Sequence, residues 1–213
     1  MERIDKENYY LDIAETVLER STCLRRCYGA IIVQHDEIVS TGYNGAPRGR
    51  KNCADLNYCT RERLKIPSGE RYELCRSVHA EANAIISAAR SEVLGATLYM
   101  VCRDPKTGDL IPGSTSCSMC RRLIINAGIR RLVIRDSPTE YRVVDVQKEW
   151  VEEDDSLPAE WCAGRTSGKY KQSVKSGSGH FLRSVHNFWL YFAREVAIMT
   201  DSLPKRNETY TGI

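Results

Sequence analysis

Two short segments, His79-Ala80-Glu81 and Cys117-Ser118-Met119-Cys120, constrain this chain more than any other feature in it. Each opens a stretch with helical periodicity. After the first, Ala82, Ile85, Ile86 and Ala89 recur at i, i+3, i+4 and i+7, which predicts a helix over about Ala80–Arg90. The second predicts a helix over Cys117–Ala127, with Ser116 as N-cap and Gly128 as the C-terminal glycine. Between them Ala96–Cys102 reads as a buried strand. Cysteines at i and i+3 share a helix face, so both sulfurs can reach one metal ion. A helix start also favours thiolates, through its dipole and free N–H groups. With a histidine from the neighbouring helix, three protein ligands leave the fourth tetrahedral position open to water, the arrangement of a catalytic zinc. Glu81 is not needed as a ligand and is placed to move a proton. His-x-Glu or Cys-x-x-Cys alone is a weak signal; both together, each opening a helix with a strand between, make a strong one.

The remaining pattern is that of an α/β layered domain. Leu11, Ile13, Ala14, Val17 and Leu18 predict a first helix over about Asn8–Arg20. Tyr28–Val33 and Glu37–Tyr43 read as strands of a hairpin turning at His35-Asp36. Gly42–Pro47 supplies turn residues, and a long polar loop follows from about Arg48 to Ser77. Asp104–Ser116 is irregular, Arg131–Arg135 is a strand, and Tyr141–Val146 adds another. Helix, hairpin, helix, strand, helix, strand imply a mixed sheet with helices packed on it. Residues 1–150 form the expected domain. Residues 151–213 form an extension, with a Gly/Ser/Lys linker at 164–179 and an amphipathic helix at 180–200 carrying Phe181, Val185, Phe188, Phe192, Val196 and Met199.

Charge argues against a nucleic-acid platform. The formal net charge of the 213 residues is only +3, and the basic excess sits in residues 164–213, with 8 Lys/Arg against 3 Asp/Glu. Met1–Lys6 is charged with no apolar run behind it, and no stretch reaches the roughly 20 apolar residues of a membrane span. A cytoplasmic protein with no membrane association is therefore expected. There thiols stay reduced, and nine cysteines point to metal more than to disulfides.

Five segments together resemble the cytidine and deoxycytidylate deaminase superfamily, and its deoxycytidylate branch in particular. They are Gly29–Val33, Thr41–Pro47, His79–Ile85, Cys117–Cys120 and Ile124–Ile129. The resemblance spans about residues 8–135. It implies a three-layer α/β/α sandwich with a central mixed sheet, a catalytic zinc on His79, Cys117 and Cys120, and Glu81 as proton shuttle. It implies hydrolysis of dCMP to dUMP and ammonia, supplying dUMP for thymidylate synthesis. It also implies a homo-oligomer, a hexamer or a dimer, regulated by dCTP and dTTP. Asn44 carries over as a contact to the nucleotide sugar, and Ala80 is grouped with the substrate-binding residues. Arg25, Arg26 and Arg48 are the donors considered for the phosphate, with Arg48 first because it follows the Asn44 loop and Arg26 next. The chain departs from the family in having Ser116 where a proline precedes the first cysteine, and in a longer Arg103–Thr115 connection.

A second, structural zinc is expected on Cys23, Cys53, Cys59 and Cys75. The Arg48–Ser77 loop is too polar to order itself by burial, yet it leads directly to His79. Four thiolates would pin it. The resemblance adds that some relatives carry an extra zinc at positions matching Cys23 and Cys53. Two rival readings are a zinc deaminase of another base (cytosine, guanine or tRNA adenosine) and a non-catalytic nucleotide-binding zinc protein. Gly-Tyr-Asn-Gly at 42–45 speaks against tRNA, and the presence of Glu81 against a purely structural site.

Overall fold

The computed structural model describes residues 3–67 and 69–152. The expected linker at 164–179 and the helix at 180–200 lie outside the described residues.

Asp5 caps the first helix, α1 (Lys6–Leu18), by accepting from the Asn8 amide at 3.0 Å. The helix starts two residues earlier than its periodicity suggests, because Asp5 supplies the cap, and it ends two residues earlier, with Glu19 as its C-cap. Strands β1 (Cys27–Gln34) and β2 (Glu37–Tyr43) form the expected hairpin. His35 and Asp36 both take left-handed conformations, φ 50° and 68°, as a tight turn matching the strand twist requires. Neither is glycine, so the turn is held from outside: Asp36 accepts from Lys6 Nζ at 2.6 Å and from the Tyr10 hydroxyl at 2.7 Å.

After the hairpin come two single-turn helices, α2 (Cys53–Leu56) and α3 (Thr60–Arg63), and a 3-10 turn at Tyr72–Leu74. Then follow α4 (Ala80–Ile86), α5 (Arg90–Val93), β3 (Thr97–Arg103), α6 (Ser118–Ala127), β4 (Arg131–Arg135) and β5 (Tyr141–Asp145), and a last helical turn closes the described chain at Val146–Glu152. The single helix expected over Ala80–Arg90 is broken. Ser87 Oγ bonds back to the Asn83 carbonyl at 2.8 Å, and Glu92 caps the Ala89 amide at 2.9 Å, so a new helix starts there.

The sheet order is β2-β1-β3-β4-β5, antiparallel except for the parallel β3–β4 pair. That pair is joined by the α6 crossover. Period-two alternation sorts the strands onto two faces. Ala30, Ile32, Leu98, Met100, Leu132 and Ile134 join a core with Ala80 and Ala84 of α4 and Ile124 of α6. Ile31, Val33, Tyr99, Val101 and Val133 face the other way, onto Leu11, Ala14 and Leu18 of α1. The result is the expected three-layer α/β/α sandwich. Buried Arg135 helps fix α1 on its face through Asp12 at 2.7 Å and Glu15 at 2.5 Å.

Gly42 decides how closely the sheet meets the site. A Cβ there would overlap the backbone of Ala80 and Ala84, so its absence lets β2 lie directly against the first turn of α4.

Candidate active site

Helices α4 and α6 start side by side on one face of the sheet. His79 is the N-cap residue of α4, and Cys117 is the N-cap residue of α6. The sequence places that second cap at Ser116. In the structure the Cys117 carbonyl accepts the first helical bond, from Arg121 at 2.9 Å, while Cys117 itself is extended. Ser116 lies one residue before the cap, where it is buried at 2% exposure.

His79 Nδ1 lies 3.4 Å from Cys117 Sγ and 3.4 Å from Cys120 Sγ. Tetrahedral zinc, about 2.0 Å from nitrogen and about 2.3 Å from sulfur, requires neighbouring N and S about 3.5 Å apart, so the three side chains fit that ion. They are the group among the described residues whose ligand atoms all lie within 4.8 Å of one another. A hydrogen bond from Cys120 holds the Cys117 thiol well below its usual range, against burial and with help from His79, so one sulfur is already biased toward thiolate.

Glu81 is two residues further on, in the first turn of α4, and only 3% exposed. Burial pushes its carboxyl up, opposed by the charge of His79 and by a hydrogen bond from Ser116. A carboxyl poised in this way beside a metal set is suited to receiving and returning a proton.

The site opens into a cavity of about 150 Å³. Tyr28, Asn44, His79, Glu81, Thr115 and Cys117 line it, as do three arginines, Arg25, Arg26 and Arg61. Ala80 is fully buried at the start of α4. Arg48 is exposed and does not line the cavity. Arg26 pairs with Asp104 at 3.0 Å, whereas Arg25 Nη1 is buried with no hydrogen-bond partner among the described residues. Asn44 borders the cavity but is deeply engaged with the protein. Its Oδ1 accepts from Ser21 Oγ at 2.6 Å and from the Tyr28 amide at 2.8 Å, and its Nδ2 donates to the Arg26 carbonyl at 2.8 Å. Asn44 thereby fixes the backbone that presents Arg25 and Arg26.

Cys53 and Cys59 are buried, and Cys23 and Cys75 are half-buried. They gather: burial pushes the Cys53 thiol up, and the neighbouring Cys23, Cys59 and Cys75 push it further. Their sulfurs do not form a group at the spacing of the His79 set. Cys75 also reaches His79; burial acts to raise its thiol, but hydrogen bonds from His79 and the Ser77 backbone, with the charges of His79 and Arg61, together lower it.

Sequence reasoning missed Arg61 and Tyr72. Arg61 is 5% exposed, its guanidinium lies 4.3 Å from the Tyr72 ring centroid, and Tyr72 packs edge-on against His79. Nothing in a polar, charged stretch marks one arginine as buried.

Residues 4–135 match the model of the cytidine and deoxycytidylate deaminase zinc-binding region. The chain belongs to this family. A deoxycytidylate deaminase of Mycobacterium phage D29 is 39% identical over 139 residues, covering 62% of this chain and 96% of its own. The deoxycytidylate deaminase of Schizosaccharomyces pombe is 31% identical over 131 residues, covering 62% of this chain but 37% of its own. Among solved structures, the apo dCMP deaminase of cyanophage S-TIM5 gives a TM-score of 0.45 at 24% identity, covering 64% of this chain and 86% of its own.

Proposed function

We propose that this protein hydrolyses dCMP to dUMP and ammonia. The observation that carries the proposal is a buried Glu81 carboxyl beside a His79, Cys117 and Cys120 set, facing a cavity with arginines in its wall. The phage relative called a deoxycytidylate deaminase, matched over nearly its whole length, supports the choice of substrate.

His79, Cys117 and Cys120 would hold zinc, which when bound supplies a Lewis acid that makes water more acidic. Glu81 takes the proton of the attacking water on a carboxylate oxygen and delivers it to N3 of the cytosine ring as oxygen joins C4. It then carries the second proton to the exocyclic amine, the C4–N bond breaks, and ammonia leaves. Burial excludes competing water from the carboxylate. Asn44 holds the Arg25–Arg26 backbone from beneath, and we assign the 5′-phosphate to these two arginines, with Arg25 Nη1 as the unpaired donor. Arg48 stands on the exposed loop beyond. Assembly as a hexamer or dimer, control by dCTP and dTTP, and a cytoplasmic location belong to the same reading. No described helix is long and apolar enough to cross a membrane.

If a phosphate is part of recognition, deoxycytidine is a far poorer substrate than dCMP. Steady-state kinetics on both, with free cytosine and guanine alongside, check this. Equal kcat/KM for nucleoside and nucleotide would overturn the nucleotide assignment in favour of another deaminase.

A second, structural zinc on Cys23, Cys53, Cys59 and Cys75 is part of this proposal. It is supported by the mutual influence of these thiols at Cys53 and by their place ahead of His79 in the chain. Expected metal content is two zinc per chain, falling to one on Cys53→Ser with the catalytic metal retained. One zinc in the parent protein, or unchanged content after each of the four replacements, sinks the second site.

A further inference from the structure

The chain between α3 and α4 delivers a metal ligand, yet most of its side chains are exposed or half-buried. Arg61, within α3 just before it, is buried. A buried guanidinium is costly unless its donors are satisfied. Arg61 Nη2 donates to the Pro67 carbonyl at 2.7 Å and to the Glu70 carbonyl at 2.5 Å, drawing the following loop back over α3. The guanidinium also covers one face of Tyr72. Tyr72 meets His79 with ring centroids 5.0 Å apart and planes at 88°. The backbone beside His79 is fixed separately, by the pair Val78 N to Gly45 O at 2.8 Å and Gly45 N to Val78 O at 3.2 Å.

A backbone anchor and the hydrogen bond to Cys75 still leave the imidazole plane free to tilt, because the outer torsion of histidine has a broad minimum. A metal ligand needs that plane set, so that Nδ1 points at the ion. We propose that Arg61, acting through Tyr72, is a positioning residue that sets the plane of the His79 ring. The proposal rests on His79, Cys117 and Cys120 being the zinc ligands. Arg61 also lines the cavity, and its buried Nε has no hydrogen-bond partner among the described residues. Direct contact with a substrate anion is therefore the competing role.

The test uses the zinc-loaded full chain with Arg61→Gln, Tyr72→Leu and Tyr72→Phe. Zinc release to a chromogenic chelator, the visible spectrum after cobalt substitution, and kcat and KM for dCMP are measured. The zinc pool missing from Cys120→Ser identifies the catalytic ion. Arg61→Gln and Tyr72→Leu are expected to release that zinc about tenfold faster or more, with shifted cobalt bands. In both, kcat falls while KM holds. Tyr72→Phe keeps the ring and behaves as the parent. A parent-like release rate and cobalt spectrum in Tyr72→Leu overturn the proposal. So does a rise in KM alone in Arg61→Gln, which marks anion contact instead. Should Arg61→Gln fail to fold, the tyrosine pair decides: loss with Leu and retention with Phe supports positioning, and equal behaviour overturns it. A parent protein that binds neither zinc nor cobalt through His79 would remove the metal reading beneath the proposal, a separate failure.

Discussion

Glu81→Ala is expected to keep its catalytic zinc and to lose turnover by about 10²–10⁴-fold or more, the usual cost of removing a positioned acid–base group. The separation of the two effects follows from geometry, because the ligand atoms are His79 Nδ1 and the two sulfurs, and Glu81 lies two residues after His79 in the first turn of α4. Zinc content and kcat measured on the same preparation decide the matter. Loss of zinc, or near-normal turnover, would show that Glu81 has another role. A companion expectation concerns stability in the metal-free protein. Burial raises the Glu81 carboxyl above its unfolded value, so the folded state favours the protonated form. That contribution is fully present below the unfolded pKa and is lost as pH rises through the folded one. Glu81→Gln, neutral at every pH, should therefore be at least as stable as the parent at neutral pH, with the gap closing in acid. Thermal melts across that range read it directly, and a variant markedly less stable at neutral pH would contradict the assigned cost of burying the carboxylate.

Cys120→Ser should abolish both catalytic zinc and deamination. Cys120 is fully buried, and with Cys117 it faces the same histidine nitrogen at equal distance. A hydroxyl is a much weaker zinc ligand than a thiolate. The catalytic zinc should be absent after dialysis and turnover should fall to background, while circular dichroism stays that of a folded α/β protein because the backbone bonds of α6 do not depend on the Cys120 side chain. The parent should also melt higher with zinc than without it, as any ligand binding the native state requires, and Cys120→Ser should lose that increment for this ion. Full zinc content with parent-like turnover would place the catalytic metal elsewhere.

Features carried by local sequence were legible in advance. The strands alternate with period two, and that alternation alone assigns Ala30 and Ile32 to one face and Ile31 and Val33 to the other. The two helix starts carry their ligands at a spacing that a helix turns to one side. Gly128 ends α6 in the left-handed conformation expected of it, φ 79°. The α/β/α architecture and the gathering of His79, Cys117 and Cys120 follow from these regularities and the family resemblance.

Tertiary structure decided whatever depends on a partner distant in the chain. Whether Ser116 or Cys117 caps α6 turns on one residue's backbone angle, which the motif does not specify. Arg25 and Arg26 border the cavity and Arg48 does not, because Asn44 binds back to the Arg26 carbonyl 18 residues before it while the chain after Gly45 runs out to the surface. Arg61 looks like any solvated arginine in a charged loop until Pro67, Glu70 and Tyr72 close around it. Periodicity and motif record what a residue does with its near neighbours; burial of a charge is set by which remote groups arrive to satisfy it, and that is fixed only when the chain has folded.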